Sequence, residues 1–322
     1  MADQDRALFF TRRGSHAYAV NRLAGIVLVA VSAAAFGTLA IFARFAYADG
    51  VDALTILFLR FGLAAVLMLA LLFVRRERLP RGTVLLRLIG MGALGYVGQT
   101  FCYLTALKYA SAGLVALLIY LYPIFVAILA TLLLHEPITR AKGLALGLAL
   151  VGLALTVGPL QGQIKGVLFA VVGSVIYSIY IIVGVDVMRH VSAVQSSAVI
   201  FTGAAMSAGI LMMVNGPHLP ATSAGWTAMA LIVVVATLIP VAAFLAGLKR
   251  VGPTNAAMLS TLEPVVTVLL AYWWLHEALS PVALVGGALI LTAVLVVTRG
   301  ELHHGRLAAG APSVGEESGG GG

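Results

Sequence analysis

Two charges set deep in long apolar runs, Arg60 and Glu263, are where this chain could do chemistry. Arg60 lies eight residues beyond Asp52, or ~12 Å at 1.5 Å per helical residue, and Glu263 lies ten residues beyond Pro253, or ~15 Å. In a hydrocarbon layer ~30 Å thick both would stand near the midplane. A charge there costs ~2.5–3.5 kcal/mol even on lenient insertion scales, so such residues face a protein interior or a watery cavity, and often each other. A guanidinium can grip a carboxylate through two parallel hydrogen bonds. A carboxylate can hold an ammonium group, or carry a proton if burial favours its neutral form. An amino acid offers both matching charges. The competing reading is an internal ion pair that locks two helices.

Polar and aromatic residues at helical spacing could line the same space. Tyr96, Gln99 and Tyr103 follow i, i+3, i+7, and Ser174, Tyr177 and Ser178 follow i, i+3, i+4. Hydroxylated rings can stack on an apolar solute while bonding its polar end. Tyr103, Tyr109, Trp226, Trp273 and Trp274 fall near the ends of apolar runs, where aromatic residues form interfacial belts, so Tyr96, Gln99 and Tyr177 are the deeper candidates. Pro123 and Pro264 sit mid-run. Each lacks an N–H and deprives the carbonyl four residues earlier, Ile119 or Ser260, of its helical partner. Such breaks are tolerated where backbone lines a cavity or neighbours re-satisfy it. The two prolines are therefore candidate gating breaks, with a packing kink as the alternative, and Ser260 is a candidate lining residue. Pro240 reads as a kink, and Gly92, Gly95, Gly98, Gly143 and Gly147 read as close helix packing.

Catalytic motifs are missing. His135-Glu136 and His276-Glu277 lack the second histidine of a zinc-protease helix, and no G-x-x-x-x-G-K-[ST] loop is present. No catalytic residue, metal or cofactor is expected, and ATP is not the energy source. An intramembrane enzyme using Glu263 as general base on a lipid, and a membrane scaffold or receptor, remain the alternatives to a pathway for solutes.

These residues must be positioned by membrane spans. The chain is 61% hydrophobic and 10% charged, with mean hydropathy +1.06, more apolar surface than a water-soluble core can bury. Apolar runs long enough to cross a bilayer fall near 22–47, 52–74, 84–106, 111–134, 139–157, 164–187, 192–214, 224–248, 253–275 and 280–298. They predict an all-α integral membrane protein of ten spans joined by short connections. The first 20 residues lack the apolar core of a cleavable signal, and Gly315–Gly322 closes a tail that reads as disordered. The single cysteine, Cys102, lies inside the third span.

Shifted by 141 residues, the chain meets itself. Leu104–Glu136 overlays Leu245–Glu277 without a gap, and twelve of 33 positions match, including Lys108 with Lys249, Pro123 with Pro264, and His135-Glu136 with His276-Glu277. Five spans per copy is an odd number, so the second copy enters the membrane upside down, a design suited to a pathway with two alternating mouths. The first spans match less well, Gly25 with Gly166 being the clearest anchor. Net charge +8 follows sidedness rather than nucleic-acid binding: with the N-terminus inside, sixteen of twenty Lys and Arg fall in cytoplasmic segments, and only Arg44, Lys108 and Lys165 fall outside. Both termini are expected in the cytoplasm. At offset 141 Glu263 matches Tyr122 and Arg60 matches Phe201; charges found in one half only point to a ligand.

Leu262-Glu263-Pro264, Glu277 and Gly286-Gly287 in one half, with Pro123, Glu136, Gly143, Gly147 and the Ala106–Tyr109 run in the other, resemble the paired EamA domains of the drug/metabolite transporter superfamily. Arg60-Phe61 fits the same pattern. The resemblance covers residues 22–298 and implies repeats at 22–157 and 164–298, flanked by a cytoplasmic tail at 1–21 and another at 299–322. It also implies a bacterial inner-membrane transporter that moves small metabolites, often outward, through a central cavity. The expected function is secondary transport by alternating access, with export of amino acids, aromatic ones foremost. The expected partners are a small-molecule substrate and the lipid bilayer, with proton coupling through Glu263 as one mode and facilitated passage as the other.

Overall fold

The computed structural model describes residues 21–110, 112–156, 163–275 and 280–310. The expected tails up to residue 20 and beyond 310, the 158–162 connection and the His276-Glu277 pair lie outside these residues.

The fold is all-α. In hydrocarbon every backbone group must find its partner within the segment, and only a helix does that for a single span. Among the described residues the long helical units are α1 (Asn21–Ala48), α2 (Ala53–Val74), α3 (82–107), α4 (112–134), α5 (Arg140–Thr156), α6 (Ile164–Val187), α7 (Ala193–Asn215), α8 (Ser223–Val251), α9 (253–275) and α10 (Pro281–Gly310). Eight of them are long and apolar enough to cross a membrane. The other two, α5 and α10, pack along each other, as α2 and α7 do. Polar residues set the ends. Asp52 caps α2 through Thr55 N (2.9 Å), and Ser192 and Gln195 form a capping box on α7.

The repeat is visible in space well beyond its last three spans. A Cβ on Gly25 would meet Val251 at 2.8 Å, and a Cβ on Gly166 would meet Ala110 at 2.8 Å; both members of the second pair are the 141-residue counterparts of the first. Ser32 Oγ donates to the Pro240 carbonyl (2.8 Å), while Gly173, the counterpart of Ser32, faces the carbonyl of Gln99, the counterpart of Pro240. Thr254 Oγ1, at the start of α9, donates to Glu136 Oε2, just past the end of α4 (3.2 Å). The equivalent helices therefore run in opposite directions, and the two halves are inverted.

Helical irregularities depart from the sequence reading. The α4 span is two helices, α4a (Ala112–Ile119) and α4b (Tyr122–Leu134), and α9 is likewise α9a (Pro253–Leu259) and α9b (Leu262–Leu275). Pro123 and Pro264 thus stand in the first turn of a new helix, where a missing N–H costs nothing. The Ser260 carbonyl finds a substitute donor in Glu263 N (3.0 Å). The expected kink at Pro240 is a π-helical segment, Val234–Leu238, immediately before it, and a second π segment, Met91–Tyr96, occupies the equivalent part of α3. Gly92 and Gly95 do pack tightly, a Cβ on Gly92 standing 2.1 Å from the Ile200 carbonyl oxygen. Gly143 and Gly147 do not: a Cβ on either would meet nothing within 4 Å. Close packing on α5 falls instead at Gly152, against the Gly286 carbonyl.

The bundle has two chemically distinct ends. At one, which we call the basic end, Arg22, Glu136, Lys142, Arg189 and Lys249 surround a space of about 460 Å³. At the other, Asp49 accepts hydrogen bonds from Ala221 N (2.8 Å), Thr222 N (3.0 Å) and Thr222 Oγ1 (2.7 Å), clasping the α1–α2 and α7–α8 loops.

Candidate functional site

The irregular segments converge between the two ends. The extra residue in the π turn of α8 lets Thr237 Oγ1 donate five residues back, to Ile232 O (2.7 Å), and points its lone pairs at α2. There it accepts from Arg60 Nε at 2.7 Å, while Arg60 Nη2 lies 3.5 Å from Ala236 O and the guanidinium stands 4.8 Å over the Phe61 ring. Arg60 is buried at 7% exposure, yet its Nη1 has no protein partner among the described residues. A guanidinium stays charged in such a place, so the positive charge is fixed.

Glu263 follows the break in α9, on the opposite half of the molecule. It is part-buried and lies within electrostatic reach of Tyr120, at the break in α4. Arg60 and Glu263 are near enough to sense each other's charge but make no ion pair within 4.0 Å. The locked-pair reading would have required that contact. The two charges instead approach from opposite halves without pairing.

Aromatic rings connect them. Phe201 stacks on Phe61 (6.1 Å), Phe61 meets Tyr96 edge-on (5.3 Å), Tyr96 meets Tyr180 (5.2 Å), Tyr180 stacks on Tyr177 (5.7 Å), and Tyr177 meets Tyr122 (4.9 Å), with Tyr120 beyond it (6.0 Å). Of the residues singled out by sequence, Arg60, Glu263, Tyr96 and Tyr177 are brought together. Gln99 lies one turn past Tyr96, half-buried, with its carbonyl against Gly173. Ser260 is buried in the α9 break and donates to Ala256 O (2.9 Å). Ser178 donates to the Tyr122 carbonyl (3.1 Å), pinning the α4 break.

Sequence reading passed over Tyr120, Tyr180 and Thr237. Tyr180 had a signal, standing one turn from Tyr177. Tyr120 and Tyr122 are two apart and belong on opposite helix faces; only the break at Tyr120-Leu121 lets both reach the space. Thr237 had no signal, because its orientation comes from the π turn.

The two ends of the group are packed differently. Toward the basic end, α9a packs on α4b and every residue of Pro253–Leu259 is buried. Tyr122 donates to the Ala257 carbonyl (3.2 Å), Thr254 to Glu136, and Lys142 pairs with Glu136 at 2.5 Å. Toward the Asp49 end, α4a packs chiefly on α6 and α9b on α1 and α10.

Comparison with known proteins fits this architecture. The chain matches the sequence profile of the EamA-like transporter family twice, at residues 23–158 and 164–299. An "uncharacterized transporter" of Archaeoglobus fulgidus is 30% identical over 280 residues, covering 85% of this chain and 96% of that one. The "uncharacterized transporter YcbK" of Bacillus subtilis is 24% identical, covering 82% and 89%, and the "uncharacterized inner membrane transporter YedA" of Escherichia coli is 26% identical, covering 75% and 80%. A solved crystal structure superposes with a TM-score of 0.75 at 22% identity, over 87% of this chain and 98% of that one, a likeness of fold. Two matched repeats spanning nearly the whole helical bundle, together with these relatives, establish that the chain belongs to the EamA-like transporter family.

Proposed function

We propose that this protein is a secondary transporter that exports amino acids, with aromatic amino acids as the leading cargo, by alternating access to the space between Arg60 and Glu263. One observation carries the reading: a fixed cation and a carboxylate, contributed by opposite halves, come near each other without pairing, and a chain of aromatic rings runs beside them. Arg60 Nη1 takes the substrate carboxylate and Glu263 takes its ammonium group. Tyr96 and Tyr177 stack on the side chain, and Gln99 and Ser260 border the site. The breaks at Pro123 and Pro264 act as hinges, since a helix already interrupted there bends without losing hydrogen bonds.

The excess of Lys and Arg on one side supports a cytoplasmic basic end and cytoplasmic termini in a bacterial inner membrane. On that reading the contacts of α9a with α4b form the cytoplasmic seal of the pathway. Glu263 provides a site for proton exchange, and no ATP-binding loop is present in the sequence.

Counterflow in proteoliposomes tests the reading. Radiolabelled phenylalanine, tyrosine and tryptophan should exchange saturably, and Arg60→Ala and Glu263→Gln should each lower flux by about 10-fold or more, the value of one charge-assisted hydrogen bond. Normal flux in both variants overturns the site; absence of exchange for every amino acid overturns the cargo.

A further inference from the structure

The cavity at the basic end measures about 460 Å³, within the ~300–1,000 Å³ range of small-molecule pockets and roomier than a bare ion requires. It borders the contact of α9a with α4b, and five cations line it: Arg22 from α1, Lys142 from α5, Arg189 just past α6, and Lys249 and Arg250 from α8. Glu136 is the one carboxylate in the lining, and it is engaged, with Oε1 bonded by Lys142 and Oε2 accepting from Thr254 (3.2 Å). Among the described residues no carboxylate pairs with Arg189, Lys249 or Arg250. The Arg250 guanidinium is nevertheless held in place. Its Nε donates to Asn21 Oδ1 (3.1 Å) and its Nη1 to Ala246 O (2.5 Å), and its stem lies against α1, where a Cβ on Gly25 would stand 2.6 Å from Arg250 Cβ. Its Nη2 has no protein partner among the described residues.

Membrane sidedness accounts for cations at one end of a bundle, but not for their convergence from several helices on one cavity. The 141-residue counterparts of these five residues are Gln163, Ala283, Ala48, Lys108 and Tyr109, with a single cation among them. A neutral residue gives a second, independent indication. Asn255 also lines the cavity and is buried at 2% exposure. Its Nδ2 donates to Val251 O (2.7 Å), which fixes the amide, while its Oδ1 is buried without a hydrogen-bond partner among the described residues. Buried acceptors are rarely left so, and sidedness asks for no amide here; the counterpart of Asn255 is Leu114. The cavity therefore presents surplus positive charge together with one orphaned acceptor.

We propose that this cavity is a binding site for a phosphoglycerol group, its phosphate held by Arg189, Lys249 and Arg250 Nη2 and a glycerol hydroxyl donating to Asn255 Oδ1. A phosphate matches the guanidinium fork and offers several acceptor oxygens to the surrounding cations. A hydroxyl supplies the donor that Asn255 lacks. Simpler ligands meet half of the requirement: a carboxylate or inorganic anion satisfies only the cations, and an amine satisfies only Asn255. Two sources carry the complete group, the headgroup of phosphatidylglycerol in the bilayer and free glycerol phosphate in water. The site is separate from Arg60 and Glu263 and stands whatever the transported cargo is.

Thermal shift of the full chain in an uncharged detergent, at constant ionic strength, tests this. Added sn-glycerol 3-phosphate should raise Tm saturably, and at lower concentration than propyl phosphate, which has the charge but no hydroxyl. Arg189→Gln and Lys249→Gln, both at exposed positions, should keep the Tm of the ligand-free parent and each weaken binding by about 10-fold, as loss of one charge-assisted hydrogen bond dictates. Asn255→Leu, the residue type that the other repeat carries, should bind the two phosphates equally. A short-chain phosphatidylglycerol, with phosphatidylcholine as control, forms the second arm. A saturable shift from that lipid alone assigns the site to the bilayer, one from sn-glycerol 3-phosphate alone assigns it to a solute, and shifts from both confirm the shared group. Absence of a saturable shift in either arm, equal affinity of the parent for propyl phosphate, or unchanged affinity in both charge variants overturns the site.

Discussion

Thr237→Val isolates the role of the π turn in α8. Valine matches threonine in shape, so the packing around a side chain of 0% exposure is kept while two hydrogen bonds vanish: the one accepted from Arg60 Nε at 2.7 Å and the one donated to Ile232 O at 2.7 Å. In hydrocarbon the unfolded reference also finds partners, and side-chain hydrogen bonds between membrane helices average ~0.6 kcal/mol, with ~1.7 at the top. Global stability should therefore fall by only ~1 kcal/mol. The effect on function should be larger. A guanidinium released from its anchor turns toward other acceptors, and a bond to a charged group in a fixed site is worth ~1.5–3 kcal/mol, or roughly 10- to 150-fold in affinity. Counterflow in proteoliposomes should show KM for a carboxylate-bearing substrate raised by that range, with folded yield close to the parent's and Thr237→Ser near normal. Unchanged transport in Thr237→Val would refute the claim that the π turn aims Arg60. Equal damage in Thr237→Ser would assign the effect to the lost methyl instead.

Other expectations follow from the packing and the clasps. Gly92→Ala places a methyl 2.1 Å from a backbone oxygen, so α3 and α7 must part; the expected loss of ~1–3 kcal/mol appears as a lower Tm in detergent, whereas Gly143→Ala and Gly147→Ala leave Tm unchanged. Thr254→Val with Glu136→Gln weakens the seal at the basic end, and the distance between spin labels at Leu132 and Lys249 should lengthen in a population increased about 10-fold, as one charged hydrogen bond dictates. The Thr222 hydroxyl and amide, with the Ala221 amide adding to them, hold the Asp49 carboxyl below its ordinary range against a small opposing effect of burial. A depressed carboxyl stabilises above its unfolded range and loses that contribution as pH falls through its folded value, so Trp226 fluorescence should stay constant from neutral pH to about pH 4 and shift only below it. Asp49→Asn should show the shifted signal at neutral pH.

Much of this was legible because a membrane imposes strict rules. Span lengths, the inverted repeat and the exceptional status of Arg60 and Glu263 all follow from the cost of polarity in hydrocarbon, and each is readable residue by residue. The breaks and π turns were not. A helix that is apolar all round carries almost no periodic signal, so an added residue at Met91–Tyr96 or Val234–Leu238 leaves no mark on the pattern. Pro123 and Pro264 located the breaks, but proline alone does not distinguish a kinked helix from two helices end to end. Glycines gave half an answer for a related reason: Gly92 and Gly143 look alike in sequence, and only the face each presents decides between packing against Ile200 and facing open space. The site residues missed by sequence, Tyr120 and Thr237, are those whose orientation depends on such irregular backbone.

The asymmetry of the site within a symmetric scaffold has an energetic purpose. If the halves were identical, the two conformers would be mirror exchanges of equal energy, and nothing in the scaffold would favour either. Near that balance small forces decide. Shifting a population from 1:99 to 99:1 takes ~5.5 kcal/mol, and one charge-assisted hydrogen bond supplies ~1.5–3 kcal/mol, enough for a swing of roughly 10- to 150-fold. The residues that break the symmetry are therefore the ones able to steer it: Arg60 where its counterpart is Phe201, Thr237 opposite Tyr96, and above all Glu263 opposite Tyr122. Substituting Glu263→Tyr would restore the symmetry at that position. Such a variant should populate both conformers, visible as two distances at each of two spin-label pairs, Lys108 with Trp273 and Lys249 with Leu132. A single distance at each pair would mean that the scaffold itself, and not the charge at Glu263, selects the open end.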